Sequence, residues 1–206
     1  MRIVVNCAFR ERYIPYQRRL LEGLSRYAPK GHVLIWTDEF PAGSPDHKDV
    51  HYAFKLFAVE EAMRSGADAV LWLDAGAQVC GPLGRIWERI ERDGVLLTRD
   101  TSQWLGDNTS DACLDHFGVD GKHPLVGGGI VGVSLGHDRG ARFYAGWREA
   151  YGHGLYMGEK KHRWDEAIFG CLAVKLGVPL MDAGDEWEWD AQKFHGGNVL
   201  RTGYEH

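Results

Sequence analysis

The chain has 206 residues, 44% hydrophobic and 26% charged, with a net charge of -5 at pH 7. That length suits one domain, and the acidic balance argues against a partner held by bulk charge, such as nucleic acid or anionic lipid. No apolar run approaches the ~20 residues that span a bilayer and no charged-then-apolar leader opens the sequence, so the expected location is cytoplasmic. Cys7, Cys80, Cys113 and Cys171 lie far apart without a Cys-x-x-Cys pair. That spacing is neither a zinc pattern nor a disulfide framework, and free thiols are expected.

In chain order, Arg2 to Cys7 reads as a strand, and Tyr16 to Tyr27 as a helix with Leu20, Leu21, Leu24 and Tyr27 at helical spacing. His32 to Trp36 is a second strand ending in Thr37-Asp38, and Pro41 to Asp49 is a loop. Tyr52 to Ser65 is a helix, Val70 to Leu73 a buried strand, Leu83 to Arg92 a helix and Gly94 to Thr98 a strand. This alternation predicts an α/β fold with a mostly parallel, Rossmann-like sheet flanked by helices. Asp100 to Lys122 is polar and reads as a long loop with short helical turns. Ile130 to Ser134 is a strand, Arg139 to Tyr151 and Trp164 to Leu176 are helices, and Val178 to Met181 is a short strand. Asp100 to Lys122 and Gly152 to Arg163 are candidate lids, because long loops in small domains often carry the site.

The densest signal is Val70-Leu71-Trp72-Leu73-Asp74-Ala75-Gly76-Ala77, an apolar strand that ends in one carboxylate and three small residues. Open α/β sheets bind ligands beyond the carboxyl ends of their strands. Two readings of Asp74 stand. It holds a divalent ion against a diphosphate, or it caps a turn. Lys55, in the first turn of its helix, is either a phosphate partner or a solvated lysine. His162-Arg163-Trp164-Asp165-Glu166 opens a late helix. Its two acids either complement the helix dipole or face a substrate hydroxyl.

Gly127-Gly128-Gly129-Ile130-Val131-Gly132 satisfies a dinucleotide fingerprint literally, which keeps an FAD- or NAD-dependent oxidoreductase among the readings. That motif needs a helix opening inside it, whereas Ile130 to Val133 looks like a strand. The preferred reading is a glycine-lined turn feeding that strand. The early cluster Arg10, Arg12, Arg18 and Arg19 reads as a solvated face, and so does the acidic run Asp182, Asp185, Glu186, Glu188 and Asp190.

Taken together, these residues resemble nucleotide-sugar glycosyltransferases of the GT-A fold, above all small bacterial and phage proteins with an Asp-Ala-Gly motif. The likeness rests on the Lys55 helix, Leu73-Asp74-Ala75-Gly76, the Gly127 to Val133 stretch and His162-Arg163-Trp164-Asp165-Glu166. It implies one domain over 1–206, with a nucleotide-binding half up to about residue 100 and an acceptor and sugar half beyond it. It also implies a UDP-sugar or related donor and Mn2+ or Mg2+ as cofactor. Asn6, Ala8, Arg10, Thr37 and Asp38 would contact base and ribose. Asp74 and His195 would hold the ion, with Lys55 assisting. Gly76, Gly128, Gly129, His162 and Arg163 would line the donor, and Asp165 and Glu166 would serve catalysis.

The chain departs from the pattern twice. Asp74-Ala75-Gly76 lacks the second carboxylate of Asp-x-Asp, and Glu166 stands where Gln is expected. A non-catalytic nucleotide-sugar binder is therefore a further reading. The acceptor is open between a glycan, a lipid-linked glycan, a protein, a small molecule and a modified nucleobase.

Overall fold

The computed structural model describes residues 1–157, 162–182, 187–188 and 200–201. In chain order the elements are β1 (Arg2–Ala8), a 3-10 turn (Glu11–Tyr13), α1 (Ile14–Tyr27), β2 (His32–Thr37), α2 (Phe54–Arg64), β3 (Ala69–Leu73) and β4 (Gln78–Val79). They continue with α3 (Gly84–Asp93), β5 (Val95–Trp104), α4 (Asp111–Phe117), β6 (Pro124–Ser134), α5 (Asp138–Gly152), α6 (Trp164–Leu176), β7 (Trp187–Glu188) and β8 (Leu200–Arg201).

Five strands form the main sheet in the order β2-β1-β3-β6-β5. β1 pairs in parallel with β2 and β3, while β6 runs antiparallel to both β3 and β5. β5 therefore shares the direction of the first three, and the sheet is mostly parallel, as expected. A small second sheet has the order β4-β8-β7.

Side chains alternate across the strands, and both faces are covered. Ile3, Val5, Cys7, Val70, Trp72, Val131 and Val133 face one core with Phe54, Ala58 and Val59 of α2, Phe143 and Trp147 of α5, and Phe169 of α6. Val4, Leu71, Leu73, Leu96 and Ile130 face the other, against Leu20 and Leu24 of α1 and Ile86, Trp87 and Ile90 of α3. Helix ends follow local chemistry. The Ser110 side chain accepts the Cys113 N–H at the start of α4, and Gly118 and Gly177 close α4 and α6 in the left-handed region.

Three expectations change. The Gly127 to Gly129 stretch is no turn but the interior of β6, which starts at Pro124. Its glycines are there because of what packs on them: a Cβ on Gly132 would meet Ile90 Cγ1 of α3 at 2.4 Å. No helix opens inside the motif, so the geometry of a dinucleotide fingerprint is missing. The polar stretch after Asp100 begins with the end of β5 where a loop is expected, while its expected helical turns are α4. Val178 to Met181 forms no strand; Met181 alone bridges to Thr98.

Candidate functional site

The site forms where β1 and β3 end, beside the first turns of α2 and α6. β3 delivers Asp74 there, and the chain turns at once. The Asp74 N–H donates to Gly129 O and the Asp74 carbonyl accepts the Ala77 N–H, both at 2.8 Å. Asp74 thus closes a turn with its backbone and keeps its side chain for the site. Its Oδ1 accepts the Trp72 Nε1–H at 2.7 Å and stands 3.3 Å from Lys55 Nζ.

Lys55 is the hub. Its side chain is 2% exposed, and Nζ lies 2.7 Å from Asp165 Oδ2 and donates to Gly128 O at 2.8 Å. The ammonium also sits 5.0 Å from the Tyr52 ring centre and 5.5 Å from that of Trp72. Burial opposes its charge, but Asp165 and Asp74 more than offset that, so the Lys55 pKa stands above its ordinary value. A lysine with three such acceptors is a fixed internal cation, not a solvated side chain. Gly128 makes room for it: a Cβ there would stand 2.8 Å from Asp165 Oδ2 and 3.2 Å from Lys55 Nζ.

The two acids that open α6 differ. Asp165 is buried against Lys55; burial pushes its carboxyl above the usual range while the ammonium pulls it back. Glu166 keeps an exposed edge, its Oε1 accepting the Gly128 N–H at 3.3 Å and its Oε2 lying 3.6 Å from Arg163 Nη1. Burial first, and then the neighbouring Asp165, raise Glu166 to about 7. That value suits proton exchange near neutral pH.

Beside this cluster lies a pocket of about 250 Å³. Its walls include Ala8, Arg10, Arg12, His47, His51, Tyr52, Asp74 and Trp164. Trp164 stacks on His51, with ring centres 4.8 Å apart and planes 17° apart. His47 Nδ1 accepts the Tyr52 N–H at 3.1 Å. Burial, His51, Arg10 and Lys55 together depress His47 to about 4, which keeps it neutral. Cys7 also reaches the wall, but burial pushes its thiol up to about 12, so it is no nucleophile at neutral pH.

Backbone strain concentrates at the same place. Among the described residues the non-glycine positions with positive φ are Arg10 (80°), Asp38 (60°), Tyr52 (60°) and Trp164 (42°). Three of them line the pocket, and Asp38 accepts the Arg10 N–H. Such conformations cost about 1–3 kcal/mol each and persist where the surroundings over-determine them, as at ligand sites.

Several expected residues sit elsewhere. Asn6 is fully buried below the pocket, donating to Leu73 O at 2.6 Å and accepting from Gln17 Nε2 at 2.7 Å. Its amide ties β1, β3 and α1 together, so a direct ligand contact from Asn6 is corrected. Thr37 donates to Gln17 Oε1, and neither Thr37 nor Asp38 reaches the pocket wall. Gly76 lies in the turn after Asp74, and Gly129 supports that turn through its carbonyl. His162 is buried and accepts the Ser110 N–H through Nδ1 at 3.2 Å, which ties the start of α4 to the approach to α6. Arg163 bridges Glu166 and Gln103.

Arg12, His47, His51, Tyr52 and Trp164 also line the site, and the sequence alone does not single them out. Arg12 lies in the early arginine cluster, and Tyr52 and Trp164 adjoin Lys55 and Asp165 in the sequence. The two histidines carried no local signal, being brought in by the loop before α2.

Among the described residues no three His, Cys, Asp or Glu side chains gather as a metal site. Asp74 Oδ1 already faces one ammonium and one indole N–H. His195 lies outside the described residues.

Solved structures share this fold. One is the galactosyltransferase LgtC in complex with donor and acceptor sugar analogs, at 12% identity and a TM-score of 0.51, covering 97% of this chain and 86% of that one. A glycosyltransferase involved in glycosylation of the major capsid of PBCV-1 is 10% identical with a TM-score of 0.60, covering 98% and 91%. The bifunctional glycosyltransferase WbbM is 11% identical with a TM-score of 0.55, covering 91% of this chain and 39% of its own. At such identities the likeness establishes the fold, a GT-A type α/β architecture. No protein-family model and no curated protein sequence matches the chain.

Proposed function

We propose that the chain is a glycosyltransferase that takes a sugar from a nucleotide-diphosphate donor, UDP-sugars being favoured, and passes it to an acceptor hydroxyl. One observation carries this reading. Asp74, Lys55 and Asp165 converge at the carboxyl end of β3, next to a pocket of nucleoside size and beside one accessible carboxylate, Glu166. The shared fold supports it.

In this reading the pocket takes the nucleoside, and Trp164, His51 and Tyr52 offer it aromatic and imidazole walls. The bond between the anomeric carbon and the β-phosphate oxygen breaks, and its electron pair leaves on the phosphate. The acceptor oxygen bonds to that carbon, and its proton passes to Glu166. Of the two acids, Glu166 takes the proton-accepting role, because Asp165 is 2% exposed and spent on Lys55. Asp165 is then a positioning residue. Among the described residues no helix is long and apolar enough to cross a membrane.

A thermal-shift screen of UDP-, GDP-, CMP- and dTDP-sugars tests the reading. A ligand at about 100 times its Kd adds about 2.7 kcal/mol of stability. The expected result is a rise with one nucleotide, together with release of the free nucleotide on incubation. A rise without release assigns the chain to non-catalytic sugar-nucleotide binding. No rise with any of them, but a rise with flavin or nicotinamide cofactors, overturns the proposal.

A further inference from the structure

We infer that Arg10 and Arg12 clamp the donor diphosphate, and that this chain binds it without a divalent ion. The inference rests on the nucleotide-sugar reading above and names how that site handles phosphate charge.

Both arginines line the pocket that Asp74 closes, and both are exposed. Among the described residues neither guanidinium has a carboxylate partner, although the chain as a whole is acidic. Each is held by an aromatic ring instead. Arg10 Cζ stands 5.6 Å from the Phe9 ring centre. Arg12 Cζ stands 4.6 Å from that of Tyr13, and Arg12 Nη2 donates to the Tyr13 hydroxyl at 2.6 Å. Stacking on a face fixes a guanidinium while leaving N–H edges open, the geometry that grips phosphate oxygens in pairs.

The backbone also aims them. Arg10 sits at φ 80°, pinned by its N–H to Asp38 Oδ1 at 3.4 Å and by the Tyr13 N–H to its carbonyl at 3.0 Å. Such strain persists where the surroundings over-determine it, as they do at ligand sites. The positive field already reaches the pocket wall, since Arg10 and Lys55 both help keep His47 neutral.

The charge balance completes the argument. The cation an ion would bring to Asp74 is already present as Lys55, 3.3 Å away and locked by Asp165. Lys55 is 2% exposed, so it neutralises Asp74 but cannot itself grip a ligand. An arriving diphosphate needs surface cations, and Arg10 and Arg12 stand on this wall without a carboxylate partner among the described residues.

Calorimetric titration of the full chain with UDP, GDP, CDP and dTDP, their nucleosides and inorganic pyrophosphate tests this, in EDTA and in excess manganese. We expect one nucleoside diphosphate to bind in EDTA, with no gain from manganese. Losing each guanidinium should weaken it about tenfold, the worth of one charge-assisted hydrogen bond. Arg10→Ala with Arg12→Ala should therefore weaken the diphosphate far more than the nucleoside. Arg10→Lys with Arg12→Lys, which keeps the charge, should fall between. Binding that appears only with manganese overturns the inference and leaves the nucleotide-sugar reading standing. So does unchanged diphosphate binding in the double alanine variant. Failure of every nucleotide in both conditions overturns the inference and that reading together.

Discussion

Gly128 shows how one residue decides whether the site exists. Its missing side chain lets Lys55 reach its carbonyl and lets Asp165 and Glu166 close over the strand. The Cβ of Gly128→Ala would press on Asp165 Oδ2, which is held by a buried ammonium and cannot swing to solvent. We expect a loss of about 1–3 kcal/mol, typical of overpacking. Gly136→Ala, where a Cβ meets nothing within 4 Å, should stay within about 0.5 kcal/mol of the parent. Urea unfolding of the two variants side by side checks this, and equal stabilities would show that the cluster tolerates displacement.

At the scale of elements, the site is a meeting of α2, β3, β6 and α6, and Lys55 joins all four through Asp74, Gly128 and Asp165. Lys55→Met leaves Asp165 buried without its counter-charge. Breaking a buried pair from one side costs about 3–5 kcal/mol. Adding Asp165→Leu removes the orphaned charge, and much of that stability should return. Denaturant midpoints for both variants decide it; a double variant no better than Lys55→Met would mean that the pair is not the hub. The elements themselves were largely legible. The α6 pattern from Trp164 to Leu176 gave its ends directly, and β1, β2, β3, α1, α2, α3 and α5 lay within two residues of the expected bounds. Amphipathic period and short apolar runs suffice for such elements. β6 was misread at Gly127 to Gly129 because glycine disfavours strands. Its presence there follows from side chains of α6 and β5 that press on it, which no local pattern contains. For the same reason Asp74 and Lys55 were legible as candidates, yet Lys55 as a buried hub was not.

Over the whole molecule, two titrations pull against each other across one pocket. Glu166 stands at about 7 in the folded chain against an ordinary value of 4.5, raised by burial and by Asp165 against the pull of Lys55, the Gly128 N–H and Arg163. The folded state then holds more protons than the unfolded one between those values. Its contribution is fully present below about 4.5 and is lost as pH rises through about 7. His47 has the opposite sense. Burial, His51, Arg10 and Lys55 hold it down to about 4 from 6.5, with Asp46 opposing. The unfolded state holds more protons there, so its contribution is present above about 6.5 and is lost as pH falls through about 4. The windows overlap and the slopes oppose, so these two groups offset each other between pH 4.5 and 6.5. Glu166→Gln keeps an acceptor for the Gly128 N–H but removes one slope, and its stability should then rise with pH in that range. His47→Asn keeps an acceptor for the Tyr52 N–H and removes the other, so its stability should fall with pH relative to the parent. The His47 effect should be the smaller, because solvent screens a half-exposed ring. Guanidinium unfolding at stepped pH reads both variants, and profiles that tilt the same way would refute this balance.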